Sequence, residues 1–192
     1  MIYQVTALVI LAFFYGCYFL KMLIQQRKGI RTDQIGQGKV GFVKFVEVTM
    51  KIATLLVPAA EVISILLNTT CFWAPFRICG AVIGALGATV FVTSVVTMRD
   101  SWRAGVSKTD KTELVTDGIY QISRNPAFLG FDLVYIGILL MFFNPWLLIA
   151  SVSAMLMFHL QIVNVEEDFL LETFGQEYLA YKKKVNRYIG RK

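Results

Sequence analysis

Apolar residues in this chain gather into five long runs separated by short charged stretches. A bilayer core takes about 20 apolar residues in a helix, with a range of roughly 17–25. The runs cover residues 2–20, about 52–67 (extended backwards through "FVEVTM"), about 78–98, about 128–143 and about 146–165. The pattern predicts an all-α integral membrane protein with five transmembrane helices. "FNPW" separates the last two runs, and Asn144-Pro145 is a turn signal because proline disfavours helix at the preceding residue. These two spans are expected to form a tight antiparallel hairpin. After them, Phe169, Leu170, Phe174, Tyr178, Tyr181, Val185 and Tyr188 recur at helical spacing, which predicts an amphipathic C-terminal helix continuing from the fifth span.

Composition supports the membrane reading. The 192 residues are 56% hydrophobic, against roughly 45–50% in a soluble domain, and at this length one domain, 1–192, is expected. Charge adds orientation. Of the 19 Lys and Arg, seven lie between Lys21 and Lys51, one (Arg77) between the second and third runs, and five between Arg99 and Arg124. None lies in the hairpin turn, and six lie in the tail. Lys and Arg stay on the cytoplasmic side, so the N-terminus is expected outside and the C-terminus in the cytoplasm. The net charge of +6 then reflects loops facing anionic lipid rather than nucleic-acid binding. The N-terminal run lacks a preceding basic residue and a small-residue cleavage site, so a first span is expected rather than a removable signal peptide. Three cysteines without a CxxC pair and a single His argue against a metal site; buried, inert thiols are expected.

Two stretches carry candidate chemistry, "ELVTDGIYQISRNPAFLG" (113–130) and "VEEDFLLETFGQEYLAYKKKVNRYIG" (165–190). In the first, Pro126 suits the first turn of a helix and Asn125 suits its cap. Arg124 and Tyr120 beside free helix N–H groups make an anion site. The second opens on Glu166-Glu167, and adjacent acids on a helix point different ways. Phe174-Gly175 marks a kink or close-packing point. Glu61 and His159 fall inside spans, where polar groups are costly; packing is the ordinary reading for both.

"LVTDGIY", "SRNPAFLG" and "EEDFLLETFGQEYLAYKKKVNRY", with "SWRAGV" upstream, resemble the signature of the isoprenylcysteine carboxyl methyltransferase family over about residues 101–187. Phospholipid N-methyltransferases share much of it, and sterol reductases carry a distant version. The resemblance implies a membrane methyltransferase that uses S-adenosylmethionine, releases S-adenosylhomocysteine and methylates the carboxylate of an isoprenylated cysteine or similar amphiphile taken from the bilayer. A phospholipid amine N-methyltransferase is the alternative, and a non-catalytic membrane binding or transport protein is a third reading. Residues 99–127 and 166–190 would together form a cytoplasmic cofactor pocket. Its implied cofactor contacts are Thr112, Glu113, Leu114, Val115, Tyr120, Asn125, Pro126, Ala127, Phe128 and Glu166, with Arg124 and Glu167 at the reaction centre. The chain departs from the family at Asn125 (family His), Phe128 (family Tyr) and near Ile162, where eukaryotic members place a substrate Arg. These departures bear on the acceptor more than on the cofactor.

Overall fold

The computed structural model describes residues 1–30, 32–36, 39–105 and 113–191. It is helical: α1 (Ile2–Arg27), α2 (Gly41–Leu67), α3 (Ala74–Met98), α4 (Pro126–Met141), α5 (Pro145–Gln161) and α6 (Glu167–Lys184). A π turn, Ile162–Glu166, joins α5 to α6, and short 3-10 turns lie at Arg99–Ser101 and Gly118–Gln121. Proline opens α3, α4 and α5, where its missing N–H is no loss. Asn144 Oδ1 caps α5 by accepting from Leu147 N at 3.0 Å. Asn68, at φ +50°, ends α2 in the left-handed conformation.

Among the described residues, four helices are long and apolar enough to cross a membrane: α1, α2, α3 and the rod that runs from α5 into α6. The fourth expected span, α4, has 16 residues. At 1.5 Å per residue it is about 24 Å long, short of a core of about 30 Å. The hairpin turn is as tight as expected, three residues between Met141 and Pro145, yet its legs pack elsewhere: α4 mainly on α3, α5 mainly on α2. Gly175, at φ +50°, kinks α6. Cys71 and Cys79 are exposed rather than buried, and all three thiols are free.

Polar contacts define the two ends of the bundle. At one, Asn144 Nδ2 reaches Ser64 Oγ at 2.7 Å, and the Arg77 guanidinium sits over the rings of Tyr3 and Phe142. At the other, Gln25 donates to Trp102 O at 2.9 Å, Lys28 pairs with Asp100, and Asp33 bridges to Ala104. The segments after α1 and after α3 therefore meet in one polar layer.

Glycines set the α3–α4 spacing. A Cβ on Gly137 would stand 2.5 Å from Gly84 N, and one on Gly80 would stand 2.5 Å from Gly137 O. Such small-residue seams let backbones approach where lipid offers no hydrophobic drive. Gly84 differs, since its Cβ would meet only side-chain and backbone carbons at 3.6 Å or more. We expect Gly137→Ala to lower the melting temperature in detergent, at an overpacking cost of about 1–3 kcal/mol, while Gly84→Ala, on the same stripe, leaves it within error. Equal shifts for both variants would refute the seam.

Candidate active site

The polar layer is held by Glu167. Its Oε1 is 3.0 Å from Arg124 Nη2 and 2.7 Å from Arg187 Nε, and its Oε2 is 2.7 Å from Lys182 Nζ. Arg124 also donates to the Tyr178 hydroxyl at 2.7 Å. Burial raises the Glu167 carboxyl, but hydrogen bonds from Arg187 and Lys182 and the charge of Arg124 outweigh it, leaving a pKa of about 2. Burial pushes the Tyr178 phenol up to about 12, against the pull of Arg124. The tail locks onto the α4 approach by backbone too: Arg124 N donates to Asn186 O at 3.1 Å, and Gly190 N to Ile122 O at 2.8 Å. Tyr181 adds a bond from its hydroxyl to Tyr120 O at 2.6 Å.

Beside this lock lies a cavity of about 640 Å³, within the roughly 300–1,000 Å³ typical of ligand sites. Glu113, Tyr120, Arg124, Asn125, Ala127, Phe128 and Glu166 all line it. Glu166 and Glu167 diverge: Glu166 lines the cavity, while Glu167 turns to the three cations. Leu114 and Val115 instead pack behind the wall on Tyr120, Tyr178, Tyr181 and Val185. Pro126 is buried as the first residue of α4. Thr112 lies outside the described residues.

Two details differ from the sequence reading. The Asn125 side chain makes no cap; its amide donates to Arg187 O at 3.1 Å, which ties α4 to the tail and leaves the first N–H groups of α4 without that partner. Arg124 is not an open anion site but is committed to Glu167 and Tyr178. Its Nε is buried and, among the described residues, has no hydrogen-bond partner.

Sequence reasoning missed the far side of the cavity. Asp33 and Lys51, themselves an ion pair at 2.5 Å, line it with Ser101 and Arg103. Tyr15, Tyr18, Phe19 and Met22 of α1, and Met50, Thr54, Leu55 and Pro58 of α2, line its lower part. The α1 set falls at i, i+3, i+4 and i+7, a helical stripe legible in the sequence. Ile162 is fully buried, so no charge stands at that position.

The linkage of Glu167 to stability has a definite sign. Its folded pKa lies below the ordinary value of about 4.3, so its contribution is complete above that value and fades as pH falls towards about 2. The melting-temperature gap between wild type and Glu167→Gln should therefore be widest above about pH 5 and narrow below it. A gap independent of pH would contradict the pairing.

Comparison with known proteins closes the identification. Residues 75–177 match the phospholipid methyltransferase family. Over 72 residues, 38% of this chain and 30% of the relative, the chain is 40% identical to protein-S-isoprenylcysteine O-methyltransferase of Saccharomyces cerevisiae. With the B form of that enzyme from Arabidopsis thaliana, identity is 30% over 102 residues, 52% of each chain. With the Tribolium castaneum protein of the same name it is 28% over 182 residues, 92% of this chain and 61% of the relative. The matches thus span less than two thirds of these relatives' length. The chain belongs to the phospholipid methyltransferase family, and these relatives are protein-S-isoprenylcysteine O-methyltransferases.

Proposed function

We propose that this protein is an S-adenosylmethionine-dependent methyltransferase that esterifies the carboxylate of an isoprenylated cysteine or a similar amphiphile, with its polar layer in the cytoplasm. One observation carries the reading. A single cavity passes from charged and polar groups, Glu113, Arg124, Asn125 and Glu166, to a lower part lined by aromatic and aliphatic side chains. Phe19 and Leu55 line it and are themselves 57% and 68% exposed, so the wall that α1 and α2 give it borders what would be lipid.

The donor set suits the cofactor. Glu166 offers a carboxylate to ribose hydroxyls or an ammonium group. The orphaned Arg124 Nε and the N–H groups at the start of α4 favour a carboxylate. Three cations around the single Glu167 leave that corner net positive. Tyr120, Phe128, Phe169 and Phe174 present faces for an adenine or a sulfonium, where cation–π contact is worth roughly 0.5–2 kcal/mol. When bound, the cofactor supplies an electrophilic methyl group.

The remaining work falls to the chain. An acceptor carboxylate is already ionised, so the site needs no strong base, and it lines its reaction zone without a histidine. The apolar wall holds the lipid and the polar rim holds the anion, so the reacting atoms meet aligned; orientation of this kind supplies about 7–11 kcal/mol. The tail α6, through Phe169, Leu170 and Phe174, shields that zone from water.

Two measurements test this. S-adenosylhomocysteine should raise the melting temperature of the detergent-solubilised protein, and Glu166→Ala should weaken its binding about tenfold, some 1.4 kcal/mol; no stabilisation of the wild type would end the reading. A radiolabel assay should show methyl transfer to an S-farnesylcysteine analogue and not to phosphatidylethanolamine. The reverse would assign an amine acceptor.

A further inference from the structure

We propose that Tyr15 is the floor of the cavity and limits the length of the apolar chain an acceptor can carry; this rests on the lipidic-carboxylate reading above. The lining on α1 runs from Met22 down to Tyr15 and on α2 from Met50 down to Pro58. At 1.5 Å per residue these stretches descend about 10 and 12 Å. Below them the same helices present Phe14 and Glu61, both fully buried and neither lining the cavity. The chamber is therefore closed at the level of Tyr15.

The floor is fixed rather than soft. The Tyr15 hydroxyl donates to Glu61 Oε2 at 3.3 Å. Its ring stands edge-on to Phe14 at 5.0 Å, and Phe14 meets Phe131 and Phe91, both at 4.7 Å. Two buried polar side chains, Glu61 and Tyr135, interact with the Tyr15 hydroxyl. A chain tip pushed past Tyr15 would meet a carboxyl and a phenol with no bond to offer either, an unfavourable burial. A glutamate inside the span is costly, and the polar end of the cavity makes no use of it. Holding the Tyr15 ring across the chamber gives it a role.

The test is methylation of N-acetyl-cysteines bearing geranyl, farnesyl and geranylgeranyl chains by the full chain in detergent. Tyr15→Ala should raise kcat/KM for geranylgeranyl relative to farnesyl by about tenfold or more, the scale at which a pocket discriminates by added methylenes. Tyr15→Phe keeps the ring but loses the Glu61 bond, and should shift the ratio less than Tyr15→Ala. Thr54→Phe narrows the chamber one turn above Pro58 and should shift preference towards geranyl; it carries the test if Tyr15→Ala does not fold. S-adenosylhomocysteine stabilisation of each variant reports folding and the cofactor end independently. If the wild type methylates the farnesyl substrate but neither Tyr15→Ala nor Thr54→Phe changes the ratios, the floor is wrong and the functional reading stands. If the wild type methylates none of the three, both fall.

Discussion

One buried carboxylate decides where the carboxy-terminal segment lies. Glu167 gathers Arg124, Arg187 and Lys182, and those groups come from the α4 approach, the end of α6 and the tail beyond it. Removing one partner of a buried pair is costly because the other charge stays behind unpaired. Here that would strand Arg124, the buried one of the three cations. The pair contributes less as a source of stability than as a means of registration: it sets α6 against the start of α4, and with it the rings of Phe169 and Phe174 on the cavity wall.

The cavity itself exists because the bundle packs unevenly. The glycine seam draws α3 and α4 to backbone contact, while α1 and α2 touch little. Tyr18, Phe91, Trp102 and Phe131 contact one another edge-to-face or stacked, which makes a rigid inner wall that does not collapse into the space left. Tight packing on one side thus leaves room on the other. Polar groups then sort to the two ends of that room: loop charges above, the Tyr15–Glu61 contact below.

Much of this was legible in the sequence, and the rest was not for physical reasons. Span positions follow from run length, the start of α4 from Pro126, the bend in α6 from Gly175, and the divergence of Glu166 and Glu167 from helical geometry. The inward faces of α1 and α2 were harder to see. The i, i+3, i+4, i+7 spacing of the α1 set is there to read, but in a helix apolar all round nothing local marks that stripe as the cavity side. Asp33, Lys51 and Arg103 reach the cavity through tertiary contacts between loops distant in sequence, for which no local pattern exists. Asn125 sits where a cap belongs, yet its side chain makes no cap and instead donates Nδ2 to the Arg187 carbonyl of the tail. The shortness of α4 was hidden because Phe142 and Phe143 extend the apolar run past the last helical turn.

The π turn between α5 and α6 has a bearing on how such a protein diversifies. It fits one residue more into the turn than an α-helix would, just before the paired acids. Loss of a single residue there would restore ordinary winding and leave the helix beyond it in nearly the same phase, whereas loss of a second would turn it by about 100° about the axis. Glu167 would then leave its cations and Glu166 would leave the cavity. The number of residues between α5 and α6, as much as their identity, therefore fixes which way the two acids face.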